Sequence, residues 1–190
     1  MVSILGLAVI GIVVIYVIMT YNSLVSIRHH VEKSWSNIEV LLKQRHDELP
    51  KLVDTCKQYM RHEQETLEKV IQARAGVQSA QVAHDVAALG TAEGMLRSGL
   101  GQIFALAENY PELKADQHFT DLQQRISNLE NQIADRREFY NDSVNINNVR
   151  VNEFPDLIVA RLFGFLEMEL LKFSSEELKD VDISARFGRS

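Results

Sequence analysis

The chain has 190 residues, 24% charged and 46% hydrophobic, with 9 Gly and 3 Pro. That is room for one folded domain with an anchor or tail, helical rather than sheet-rich, and too apolar for disorder through most of its length. The formal net charge is −6 and no basic run interleaves with aromatics, which excludes a nucleic-acid partner, and the lone Cys56 leaves no intramolecular disulfide.

The first predicted element is a membrane anchor over residues 1–20. Val2 to Met19 carries no charge, and the first charged side chain is Arg28. At about 1.5 Å per residue the run is about as long as the hydrocarbon core is thick. A buried core helix or a signal peptide are the alternatives, but no basic region precedes the apolar run and no small-x-small site follows it. Tyr16 and Tyr21 stand where interfacial aromatics are placed, and Arg28 and Lys33 follow the span. The positive-inside rule therefore points the globular part to the cytoplasm, as a single-pass protein of the cell membrane.

From Leu24 an apolar stripe continues at steps of three and four through Trp35, Leu42, Arg45, Leu49, Cys56, Glu63, Leu67 and Arg74. Pro50 interrupts the hydrogen-bond ladder without losing the phase. With no glycine between Gly11 and Gly76, a kinked single helix ending at Gly76 is expected; two antiparallel helices are the other outcome. Ala75 to Ala83 reads as a connection. A further helix is expected over residues 84–109, with Glu93 in its stripe. Its Gly94, Gly99 and Gly101 mark either close backbone approach or a softer helix.

Tyr110-Pro111 ends that helix, and Asp116 can cap the next. Phe119, Leu122, Ile126, Leu129, Ile133, Arg136, Tyr140 and Val144 form the stripe of a long helix, which is expected to dissolve among Asn145, Asn147, Asn148 and Asn152. Residues 156–173 are apolar on nearly all sides. They are expected to pack across the bundle or, alternatively, to lie in the membrane interface. Residues 174–190 read as a loosely ordered tail.

Several stretches carry a family resemblance: Tyr21-Asn22-Ser23-Leu24-Val25, Trp35-Ser36-Asn37-Ile38-Glu39, Arg45-His46-Asp47-Glu48-Leu49-Pro50, Ala92-Glu93-Gly94, Glu108-Asn109-Tyr110-Pro111-Glu112-Leu113-Lys114, Tyr140-Asn141-Asp142, Phe154-Pro155 and Leu162-Phe163-Gly164-Phe165. Over residues 20–173 the chain resembles the LemA family of bacterial membrane-anchored proteins. The resemblance implies a short N-terminal anchor followed by an antiparallel helical bundle, and it brings no catalytic residues. It also implies a possible partner, a membrane-bound zinc protease of the HtpX type, and a branch that serves magnetosome membranes. Some members carry a lipoprotein signal, which would put their bundle outside the cytoplasm.

The fold expected is therefore all-α, a single transmembrane helix (1–20) continuing into an antiparallel four-helix bundle with long helices (21–173). The chain is not expected to be an enzyme. His62-Glu63 lacks the second histidine of a helix-borne zinc motif, because position 66 is Thr66, and no histidine has a glutamate three residues before it. No cofactor or metal is expected. The ionic residues on stripe positions, Arg45, Glu63, Arg74, Glu93 and Arg136, either snorkel to the bundle rim or form interhelical ion pairs that fix register. The function expected is a membrane-tethered scaffold or adaptor of the bacterial envelope. A homo-oligomeric membrane organiser, with the 156–173 segment against lipid or a neighbouring subunit, is the alternative.

Overall fold

The computed structural model describes residues 2–173, so the tail expected over 174–190 lies outside the described residues. The protein is all-α. Among the described residues six helices follow in order: α1 Val2–Tyr59, α2 Gln64–Ala83, α3 Val86–Ala107, α4 Pro111–Ala115, α5 Gln117–Asn152 and α6 Asp156–Phe163. Contacts divide the chain into two compact units, residues 39–134 with 171–173, and residues 2–38 with 135–170.

The first of these is an antiparallel four-helix bundle of α1 from Glu39, α2, α3 and α5 to Ala134. Leu42, Leu49, Leu52, Leu67, Val70, Leu96, Ile103, Phe119 and Ile126 are buried in its core at the three-four spacing of the sequence. Each such side chain contributes roughly 1.5–3 kcal/mol by leaving water.

α1 passes through Pro50 unbroken. It does not reach Gly76, however. It stops at Tyr59, and the chain reverses over Met60–Glu63, with Glu63 N–H on the Met60 carbonyl at 3.2 Å. The reversal needs no glycine, because His84 is the only non-glycine with positive φ among the described residues. The buried Met60 side chain fixes the turn from inside instead.

Ala75–Ala83, expected as a connection, is the last part of α2. Its small residues are what lets it pack: Val77 and Ala80 are buried, and Gly76 lies over the Ala92 methyl. The connection is only His84-Asp85. His84 takes the left-handed conformation (φ 53°), Asp85 N–H reaches back to the Ala80 carbonyl at 3.1 Å, and Asp85 then caps α3 by accepting from Ala88 N–H at 2.8 Å. α3 approaches α2 closely at Gly99, where any Cβ would crowd Val70. Lys172 crosses α3 at Gly90, and its carbonyl occupies the space of a Cβ there; Leu171 and Phe173 are buried on either side.

The second unit pairs α1 up to Ile38 with α5 from Asp135, antiparallel, as Ser34–Ser143 and Trp35–Tyr140 contacts show. α5 does not dissolve at Val144 but runs to Asn152. Its asparagines find partners that a helix end would not give them. Asn147 Nδ2 donates to the Leu166 carbonyl at 3.0 Å. Asn148 donates to the Met168 carbonyl at 2.9 Å and accepts from Met168 N–H at 2.8 Å. Residues 164–173 are consequently not helical: Gly164, at φ 74°, stops α6, and the following strap lies against α5 with Tyr140 OH donating to the Glu169 carbonyl. Leu24, Val151, Val159 and Ala160 form the small apolar core of this unit.

Candidate functional site

Two groups of polar side chains stand out, one in each unit. In the bundle, Arg45 of α1 is 1% exposed and lies between Glu93 of α3 and Glu130 of α5. Its Nη1 donates to Glu130 Oε1 at 2.5 Å and its Nη2 to Glu93 Oε1. Burial alone would lower the Arg45 pKa, but the two carboxylates outweigh it and the net shift is upward. The three charges join three helices, and a slip of any one helix by a turn would part them.

At the next residue of α1, His46, Arg74 of α2 reaches across. Its Nε donates to the His46 carbonyl at 3.0 Å, and its Nη2 meets His46 Nε2 at 2.5 Å. A guanidinium only donates, so Nε2 accepts and the ring is neutral. Burial first, and then the positive charge of Arg74, lower the His46 pKa.

At the other end of the bundle, Glu63 accepts from Tyr110 OH at 3.3 Å, and Asp116 accepts from Tyr59 OH at 3.0 Å while capping α5. The Tyr59 bond is the main cause that lowers the Asp116 pKa and raises that of Tyr59.

The structure thus brings Arg45 and Glu93 together and adds Glu130, which sequence periodicity left on the flank of its stripe. Glu63 sits at the other end of the bundle, on a tyrosine, and Arg74 sits beside Arg45, on the carbonyl and ring nitrogen of His46. Arg136 is exposed over the Phe139 ring at 5.8 Å, not on the buried stripe, because the helix passes from Ile133 to Tyr140 through half-buried Arg137.

The second group lies beside the apolar part of α1. Asp156, at the start of α6, accepts from Tyr16 OH at 2.8 Å and pairs with Arg150 at 2.8 Å; Arg150 Nη2 also donates to Ser23 Oγ at 3.3 Å. An open cleft of about 510 Å³ adjoins them, walled by Tyr16, Thr20, Ser23, Glu153 and Phe154. No periodicity pointed to this cluster. The only sequence signal was an arginine and an aspartate flanking Phe154-Pro155.

These groups mostly satisfy one another. Cys56 is buried in the core, and burial pushes its thiol pKa up to about 12, far from a working nucleophile. Among the described residues no three His, Cys, Asp or Glu side chains are grouped to hold a metal ion.

The sequence model of the LemA family matches residues 34–185 of this chain. The chain belongs to the LemA family. Protein LemA of Metamycoplasma hominis is 26% identical over 163 residues, covering 86% of this chain and 74% of that relative. Two magnetosome proteins, MamQ of Magnetospirillum gryphiswaldense and MamQ 1 of Paramagnetospirillum magneticum, are each 29% identical over 82 residues, 43% of this chain. The chain spans only 30% of the length of those magnetosome relatives. LemA membership and, among the described residues, one helix long and apolar enough to cross a membrane, α1, are consistent with a membrane protein.

Proposed function

We propose that this LemA-family protein is a membrane-tethered, non-enzymatic scaffold or adaptor of the bacterial envelope. α1 holds it at the bilayer, and α5 offers a surface to a membrane-protein partner. The observation that carries the reading is on α5. Phe139, Ile146 and Val149 recur at helical spacing, each more than half exposed. The fold gains nothing from three large apolar side chains in water, whereas a partner would. A membrane-bound zinc protease of the HtpX type, suggested by family resemblance, is one partner of suitable location. The magnetosome relatives support a role at a membrane.

A photo-activated cross-linker at Ile146 of the full chain, in its own cell membranes, tests this. The expected result is an adduct with a membrane protein that disappears when Phe139 and Val149 are both replaced by Ser. Absence of any adduct would overturn it.

Adducts of the chain with itself would favour a second reading, a homo-oligomeric membrane organiser. That reading is supported by Ile158, Leu162 and Leu166, which are exposed along the 156–173 segment and suit lipid or a neighbouring subunit.

A further inference from the structure

We propose that the turn between α5 and α6 and the outer face of α6 sink into the lipid leaflet beside α1, down to the level of Tyr16. The inference rests on the reading that the apolar run of α1 spans the bilayer.

Three observations on the same unit carry it. The first is depth. Tyr16 OH bonds Asp156 at 2.8 Å, the Tyr21 ring packs edge-on to Phe163 at 4.8 Å, and Val17 packs on the Leu24–Val159 core. α6 therefore runs alongside α1 from Tyr16 to Tyr21, and its first residue lies at Tyr16. The apolar run ends at Met19, so at about 1.5 Å per residue the α5–α6 turn reaches roughly one helical turn inside the apolar zone.

The second is the face presented at that depth. Val159, Ala160 and Asp156 turn inwards and are buried, while Ile158, Leu162 and Leu166 turn outwards at 59%, 72% and 75% exposure. Phe154, at the tip of the turn, is 76% exposed. Phe154 lines one cleft with Met19 of α1, which is itself exposed. An apolar surface in line with a spanning helix is what a leaflet covers.

The third is charge. A bare carboxylate at this depth would be expensive. Asp156 is buried, with one oxygen on the Tyr16 hydroxyl and the other on Arg150. Arg161 is exposed and long enough to snorkel to the headgroups. Glu153, exposed in the cleft near Thr20 and Ser23, limits how far the turn can descend.

The test uses the full chain in phosphatidylcholine–phosphatidylglycerol nanodiscs, with Trp35→Phe removing the single native tryptophan. Tryptophan is then placed singly at Phe154, Leu162, Ile12 or Phe139, and quenching is read with lipids brominated at shallow or deep acyl positions. Phe154→Trp and Leu162→Trp are expected to lose fluorescence to the shallow bromines, Ile12→Trp to the deep ones and Phe139→Trp to neither. Quenching of Ile12→Trp without quenching of Phe154→Trp and Leu162→Trp would overturn the inserted turn and leave the span standing. No quenching at Ile12 would remove the span and the insertion with it. A blue-shifted but unquenched Leu162→Trp would show a second copy on this face, and would also overturn the proposal. Should Trp35→Phe not fold, a nitroxide on Leu162→Cys, with the native buried Cys56 left unlabelled, decides the same question. Greater access to oxygen than to an aqueous nickel chelate is expected, and the reverse would overturn insertion.

Discussion

Arg74 Nε donates to the carbonyl of His46 at 3.0 Å, and that carbonyl is the acceptor that Pro50, four residues on, leaves without its helical partner. A proline in a helix interior costs about 3 kcal/mol, partly through the lost bond. Here a side chain from a neighbouring helix supplies the missing donor, which helps α1 to continue where sequence alone allows a break. Replacing Arg74 by Met should cost about 1–3 kcal/mol, the penalty for an unpaired inward carbonyl. The cost should shrink in a Pro50→Ala background, where the backbone N–H returns. Urea unfolding of the four members of this double-mutant cycle, in detergent, measures the coupling. An equal cost for Arg74→Met in both backgrounds would sink the explanation.

The same contact makes stability depend on pH. The folded His46 pKa is lowered from 6.5, by burial and then by Arg74. Between the lowered value and 6.5 the unfolded chain binds a proton that the folded chain refuses. Stability is thus full above about 6.5 and declines as pH falls through the folded value. Proton NMR of the imidazole should show His46 titrating below 6.5. A His46 titration at or above 6.5 would contradict the geometry.

Arg45 makes a stronger demand. Replacing it by Met leaves Glu93 buried and Glu130 half-buried without their cation, and breaking a buried pair in this way costs about 3–5 kcal/mol. Replacing all three by apolar residues (Arg45→Met with Glu93→Leu and Glu130→Leu) should recover most of that loss. The thermal midpoint of each variant reads this out. If the network fixes register, the triple variant should regain stability yet show broadened NMR lines from competing helix registers. Sharp native-like lines would argue that packing alone sets the register.

The bundle was legible because its helices bury one stripe each, and a three-four spacing survives in residues such as Leu42, Leu49, Leu67, Leu96 and Ile126. Arg45 and Glu93 could be singled out because a charge on such a stripe must find a partner. Which partner it finds depends on helix register, a tertiary fact, and so Glu130 escaped and Arg136 was misplaced by one residue of phase. The turn at Met60–Glu63 escaped because it uses ordinary backbone conformations that leave no glycine behind. The asparagines of α5 misled for a related reason. Their preference for helix ends is a local tendency, and the 164–173 strap overrides it by offering Asn147 and Asn148 backbone partners. Helix content in Ala75–Ala83 likewise came from packing, which propensity does not see.

Cys56 provides a check on the solidity of the core. It is 0% exposed with its thiol pushed up to about 12, so thiolate is scarce and out of reach. Maleimide should leave the folded chain unlabelled at pH 7 and modify it fully in urea. Rapid labelling under native conditions would show that the bundle opens around α1.

Two glycines of α3 should respond in opposite directions to the same substitution. At Gly90 a Cβ would collide with the Lys172 carbonyl, which is backbone and cannot swing aside as a side-chain end would. Gly90→Ala must therefore displace the segment that buries Leu171 and Phe173, at about 1–3 kcal/mol for overpacking. At Gly101 nothing lies within 4 Å of the added carbon. Gly101→Ala meets no obstacle and gains the helix preference of alanine, about 0.5–1 kcal/mol in the stabilising direction. Thermal unfolding of both variants beside the parent separates the two effects. Limited proteolysis of Gly90→Ala should also cut near Lys172 faster than in the parent. If Gly90→Ala were as stable as Gly101→Ala, the crossing of α3 by Lys172 would have to be abandoned.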